Sequence, residues 1–146
     1  MAIHRYRTPY GVVRHSDTCK DDFKNMKTVV RLRAGTRKEV PYTRMTLQEP
    51  AILSIRAVEK KLSKPWRKFY VRVTGSNRSC AYQAALYATD KDRYAHPDKT
   101  LHTQGLAIDV HTGYLSEKLR KALLEEGWNQ SRPVDEPWHF SYKLTA

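Results

Sequence analysis

The sequence predicts an α+β fold, a mainly antiparallel sheet with flanking helices in a single domain over residues 1–146. Three observations point there. Three stretches read as helices, two of them with apolar residues at helical spacing, several short runs alternate apolar with polar residues as half-buried strands do, and the two kinds do not alternate strictly as βαβ units would. The length is that of one domain, with no repeat, low-complexity tract or Pro/Gly/Ser-rich linker to divide it. A 40% apolar and 29% charged composition belongs to a soluble globular chain rather than a disordered or fibrous one.

Taken in order, "RYRTPYGVV" (5–13) and "TVVRLRAG" (28–35) read as short strands or extended arms with their basic side chains toward water. "EPAILSIRAVEKKLSK" (49–64) predicts a helix. Pro50 suits its first turn, and Ile52, Ile55, Val58 and Leu62, with Leu53 alongside, form an apolar stripe. "KFYVRVTG" alternates Phe69, Val71 and Val73 against polar neighbours and stops at Gly75, a half-buried strand. "SCAYQAALYAT" follows as a helix and "DKDRYAHPDKT" as a polar loop. "GLAIDVHT" is the next strand. "LSEKLRKALLEEGW" is a third helix, with Ser116 as N-cap, Leu119, Leu123 and Leu124 on its buried side and Gly127 as its stop. "PWHFSYKL" is the last strand.

Charge is unevenly spread. Residues 1–72 hold 18 Lys/Arg against six Asp/Glu, whereas residues 73–146 hold nine of each, so the whole excess of +12 lies in the first half. Such a field suits a polyanionic partner, be it nucleic acid, an anionic membrane surface or a bacterial wall, and equally a merely solvated basic face. No apolar run reaches the roughly 20 residues of a membrane span, and the start "MAIHRYRTPYGVV" lacks the apolar core of a secretory signal. Synthesis in the cytoplasm is the expectation. Two cysteines, Cys19 and Cys80, are too few for a disulfide framework and lack metal-site spacing, so they read as buried or incidental thiols; a single bridge is the alternative.

The stretch "TLHTQGLAIDV" (100–110) carries the chemistry. Strand alternation sends Leu106, Ile108 and Val110 to the core and puts Ala107, Asp109 and His111 on the opposite face. In the last strand Trp138, Phe140 and Tyr142 take one side, His139 and Ser141 the other. If the two strands are close, Asp109 and His139 converge, and His102 folds over them before Gly105. Two imidazoles and a carboxylate are what a catalytic zinc ion uses, with the fourth position left for water. Glu136, three residues before His139 and restrained by Pro137, is placed to take a proton from that water, which implies amide hydrolysis. The same residues also admit plain structural roles: His102 capping a turn, Asp109 paired with an arginine, His139 satisfied in the core.

These residues resemble the zinc D-alanyl-D-alanine carboxypeptidases and their relatives, among them vancomycin-resistance peptidases and the L-alanyl-D-glutamate peptidases of phage endolysins. The family pattern S-x-H-x-x-G-x-A-x-D is similar to Thr100-x-His102-x-x-Gly105-x-Ala107-x-Asp109, with threonine for serine. E-x-W-H is matched by Glu136-Pro137-Trp138-His139, and R-S-x-x-x-Q by Arg78 through Gln83. The likeness covers roughly residues 68–143 and leaves 1–67 as a basic N-terminal part. It implies a Hedgehog/D-Ala-D-Ala peptidase-like fold, Zn2+ bound by His102, Asp109 and His139, Glu136 as general base, Arg78 as a catalytic cation, and Gln83 and Thr100 as substrate-binding residues. It further implies a peptidoglycan stem-peptide substrate, cut at D-Ala-D-Ala or at L-Ala-D-Glu, and, joined to the absent signal, a phage endolysin that reaches the wall after release. A monomer attracted to wall polyanions is expected, without a nucleic-acid partner. His111 is either a neighbour of the metal ligands or a solvent-facing histidine, and His4, His15 and His96 carry no pattern. Two other classes stay open: a basic nucleic-acid-binding module with structural histidines, and a non-catalytic wall or virion protein retaining the fold.

Overall fold

The computed structural model describes residues 3–8, 11–16, 19, 23–32, 42–96 and 100–144. Over those residues it is an α+β fold of three antiparallel sheets and three α-helices. Strands β1 (Ile3–Thr8) and β2 (Gly11–Ser16) pair with each other. β3 (Met26–Arg31) pairs with β4 (Thr43–Gln48). The third sheet has the order β5 (Val73–Gly75), β6 (Ala107–Val110), β8 (His139–Tyr142), β7 (Trp128–Asn129). The expected stretches over 5–13 and 28–35 thus contain strands, each within the bounds just given.

Helix α1 (Glu49–Leu62) starts where expected, with Pro50 in its first turn, where a missing N–H costs nothing. Its stripe is buried at Ile52, Ile55 and Val58, while Leu53 is exposed. Ile55, Val58, Met45 and Leu47 meet Val71, Ile108, Leu119, Leu123 and Phe140 in one core. Ser54 sits in this apolar contact yet is satisfied, because its hydroxyl donates to Glu126 O (2.6 Å) and accepts from the Trp128 indole N–H (2.9 Å). Helix α3 (Glu117–Glu125) is capped by Ser116, whose Oγ accepts from Leu119 N (3.1 Å). It stops at Gly127, where φ is +95°, a conformation that favours glycine. Leu124, expected on the buried side, is exposed, because it lies about 100° around the helix from Leu123 and past the edge of the face that Leu119, Ala122 and Leu123 bury.

The predicted strand over 68–75 forms a ladder only from Val73, although Val71 is buried as expected. Side chains take over the upstream bonding: Val71 N donates to Glu59 Oε2 (3.1 Å) and Val73 N to Thr43 Oγ1 (2.9 Å). Glu59 also accepts from Arg31 (3.1 Å), so one buried carboxylate joins α1, β3 and the approach to β5. Burial pushes the Glu59 carboxyl above its usual range despite the pull of Arg31. Its ionised form is therefore a cost at neutral pH, relieved as pH falls toward the carboxylate range. Glu59→Ala leaves both donors unpaired and is expected to destabilise by about 2–4 kcal/mol in thermal unfolding, with Glu59→Gln losing less than half of that because it still accepts from Val71.

Cys19 and Cys80 form a disulfide, which corrects their reading as thiols. Their Cα atoms lie 5.9 Å apart, within bridging range. Cys80 opens helix α2 (Cys80–Thr89), which packs against the β1–β2 hairpin, and that approach across 61 residues leaves no trace in local sequence. In the chain-entropy account, closing such a loop contributes about 4 kcal/mol.

Candidate metal centre

Asp109 lies in the middle of the third sheet, opposite Gly75 on one side and His139 on the other. Alternation holds as expected for its neighbours: Ile108 and Val110 are buried in the core and Asp109 turns to the other face. His102 arrives from a short 3-10 turn (His102–Gln104) closed by Gly105, whose φ is +68°. A Cβ there would stand 2.8 Å from Met26 Sδ and 3.1 Å from Gln48 N, so the turn admits no side chain at this position.

The three residues converge. One potential ligand atom from each of His102, Asp109 and His139 lies within 4.8 Å of the others. His139 Nδ1 is 3.1 Å and His102 Nε2 is 3.4 Å from the same oxygen, Asp109 Oδ1. Zinc bonds of 2.0–2.1 Å in a tetrahedron set ligand atoms about 3.3 Å apart, so this spacing suits that ion. His102 Nδ1 meets Ser76 O at 2.6 Å. A carbonyl only accepts, so Nδ1 donates a proton to Ser76 O, and that bond turns Nε2 toward the cluster as the atom available to a metal. Donor types, spacing and ring orientation together fit a zinc ion.

Asp109 is further held by Arg78, whose Nη2 donates to Oδ2 (3.1 Å). Burial works to raise its carboxyl, but the hydrogen bonds from His102 and His139 and the Arg78 charge outweigh it and hold the carboxyl well below the usual range. The stability this gives is present above the ordinary carboxylate value, near 3.9, and is lost as pH falls below it. Arg78 Nη1 donates to Gln83 Oε1 (3.2 Å), and Gln83 Nε2 donates to Ala95 O (2.8 Å). Gln83, only 1% exposed, therefore stands behind Arg78 and fixes it. Thr100 is buried beside them, with its hydroxyl accepting from His102 N (3.2 Å) and capping the turn that presents the imidazole.

These side chains form the wall of a cavity of about 580 Å³ that Glu136, Trp138, Tyr94 and Arg132 complete. Glu136 is half-buried there, placed by its backbone N–H on Arg132 O (2.8 Å). Trp138 also lines this cavity instead of joining Phe140 on the core side, because the strand begins only at His139 and alternation does not reach back to it. His111 shares the sheet face of Asp109 but lies outside this cavity, its Nδ1 accepting from Gly113 N (3.1 Å). His96 stacks edge-on against Tyr87 (5.0 Å), and His4 and His15 lie opposite each other in the β1–β2 pairing. Sequence reasoning missed Ser76, whose contribution is a main-chain carbonyl, and Tyr94 and Arg132, which sit in a loop and a turn without periodicity.

No protein-family model matches the chain, and no curated protein does. Among solved structures, the chain is similar to the vancomycin-resistance D,D-dipeptidase VanXYg in complex with a D-Ala-D-Ala phosphinate analog, with 18% identity, a TM-score of 0.51, and coverage of 80% of this chain and 67% of that one. At that identity the likeness is one of fold: the architecture is that of a D-Ala-D-Ala peptidase.

Proposed function

We propose that this chain is a zinc metallopeptidase that hydrolyses peptidoglycan stem peptides, of the D-Ala-D-Ala carboxypeptidase or endopeptidase type, and that it serves as a phage endolysin or similar wall-lytic enzyme. The observation that carries the reading is the convergence of His102, Asp109 and His139 on the floor of a cavity that also holds Glu136. The fold shared with a D,D-dipeptidase and the basic first half, suited to an anionic wall, support it.

In this reading His102, Asp109 and His139 hold the ion, which supplies Lewis acidity and makes a water nucleophilic near neutral pH. Glu136 accepts the proton of the attacking water and returns it to the leaving amine as the carbonyl carbon gains an oxygen and the C–N bond breaks. Arg78 anchors Asp109 through one nitrogen and Gln83 through the other, so the carboxylate keeps its orientation while negative charge builds on the substrate oxygen nearby. Thr100 fixes the main chain of His102. Apolar and basic side chains at the rim, Trp138 and Arg132, face a peptide carrying free carboxylates.

Mass spectrometry of purified wall after digestion tests this. Loss of a terminal D-Ala or scission at a D-Ala bond, abolished by chelator and restored by zinc, is the expected result. Release of peptides beginning at D-Glu would assign L-Ala-D-Glu specificity instead, and intact muropeptides with zinc-loaded protein would refute the reading.

A further inference from the structure

A second cavity, of about 710 Å³, opens on the other side of Arg78 from the metal centre, and Arg78 and Tyr94 line both. Its floor comes from the outward faces of β4 and β5. Val73 turns into the core, so Arg72 and Thr74 turn out onto the face shared by Asp109 and His111, and the backbone of Arg72 is bonded to that of His111 (2.9 Å). His111 follows Asp109 by two residues, just past the end of β6, which sets this floor roughly 7 Å from the candidate metal ligands.

No acidic side chain lines the second cavity among the described residues. Arg72 and Arg44 both do, and neither has an acidic partner among those residues. Arg72 is moreover held in place: its guanidinium carbon lies 5.2 Å from the centre of the Tyr42 ring and 4.9 Å from that of Tyr114. The two rings stand nearly perpendicular to each other (84°), so the guanidinium sits in a corner of aromatic surface that attracts the cation and limits its rotamers. A planar, pre-oriented fork without a counter-ion is complementary to a carboxylate.

We propose that this second cavity is a subsite for a free carboxylate borne by the peptide in the metal cleft, taken by the guanidinium edge of Arg72 with Arg44 at the rim. The inference rests on the peptidase reading for the identity of the peptide, and it adds a selectivity: acidic stem peptides are preferred over those whose carboxylate, about two residues from the cut bond, is amidated.

The test has two arms on the full, zinc-loaded chain. In the first, N-acetyl-D-glutamate is titrated while the His111 ring signals are followed by NMR. Saturable shifts are expected in the wild type, with affinity falling about tenfold in Arg72→Gln and also falling in Arg44→Gln, an exposed position where folding is not at stake. Absence of shifts, or equal shifts in wild type and both variants, overturns the subsite; tighter saturation of the same signals by inorganic phosphate overturns the assignment to carboxylate. In the second, kcat/KM is compared for a stem peptide with a free D-glutamyl carboxylate and its carboxamide counterpart. A preference of about tenfold that collapses toward one in Arg72→Gln supports the subsite, and an unchanged preference overturns it. A positive first arm with no cleavage of either peptide retires the peptidase reading while leaving the anion site standing.

Discussion

Asp109→Asn is expected to abolish the zinc binding proposed for His102, Asp109 and His139. Zinc measured after dialysis should fall from about one ion per chain to a small fraction, since loss of the only anionic ligand must exceed the 10–100-fold that outer partners alone command. The geometry adds a second effect. Asp109 Oδ1 faces both imidazoles and Oδ2 faces Arg78, so one carboxylate neutralises the whole cluster. An amide in its place leaves the Arg78 cation, largely enclosed, without a counter-charge, at a cost of about 2–4 kcal/mol in the metal-free protein. Zinc content by atomic spectroscopy and thermal unfolding in chelator read the two effects separately. Full zinc occupancy in the variant would show that the ion, if any, binds elsewhere.

Glu136→Ala should do the opposite. Activity on purified wall is expected to drop about 10²–10⁴-fold, the usual share of a general base, while bound zinc and melting temperature stay near wild type. Neither property should move, because Glu136 holds its place through its backbone, N–H to Arg132 O and carbonyl to His139 N, and those bonds survive truncation of the side chain. Retained activity with intact zinc would remove Glu136 as the base and direct attention to another acid.

Much of this centre was legible because alternation in a strand is a local rule. The pattern around Ile108 and Val110 sufficed to turn Asp109 outward, and the same rule applied at Phe140 turned His139 toward it. Helix α3 announced both of its ends, through Ser116 and Gly127. What escaped depended on contacts between distant segments. The union of Cys19 with Cys80 follows from the docking of α2 on the first hairpin, and Gln83 stands behind Arg78 because the loop carbonyl of Ala95 captures its amide. The strand over 68–75 was cut short for a similar reason: Glu59 and Thr43 take the bonds that a neighbouring strand would otherwise have made.

The hold of Ser76 O on His102 has a consequence for how this centre responds to change. Every residue type brings a carbonyl, so replacing the side chain at 76 does not delete the contact; only a shift of the peptide plane can. That plane is moored to β4, where Thr46 N donates to Ser76 Oγ (2.9 Å) and Thr46 O accepts from Asn77 N (3.1 Å). The aim of one imidazole is thus inherited from a strand that supplies none of the three candidate ligands. Mutational scans that score only the cavity wall would pass over it.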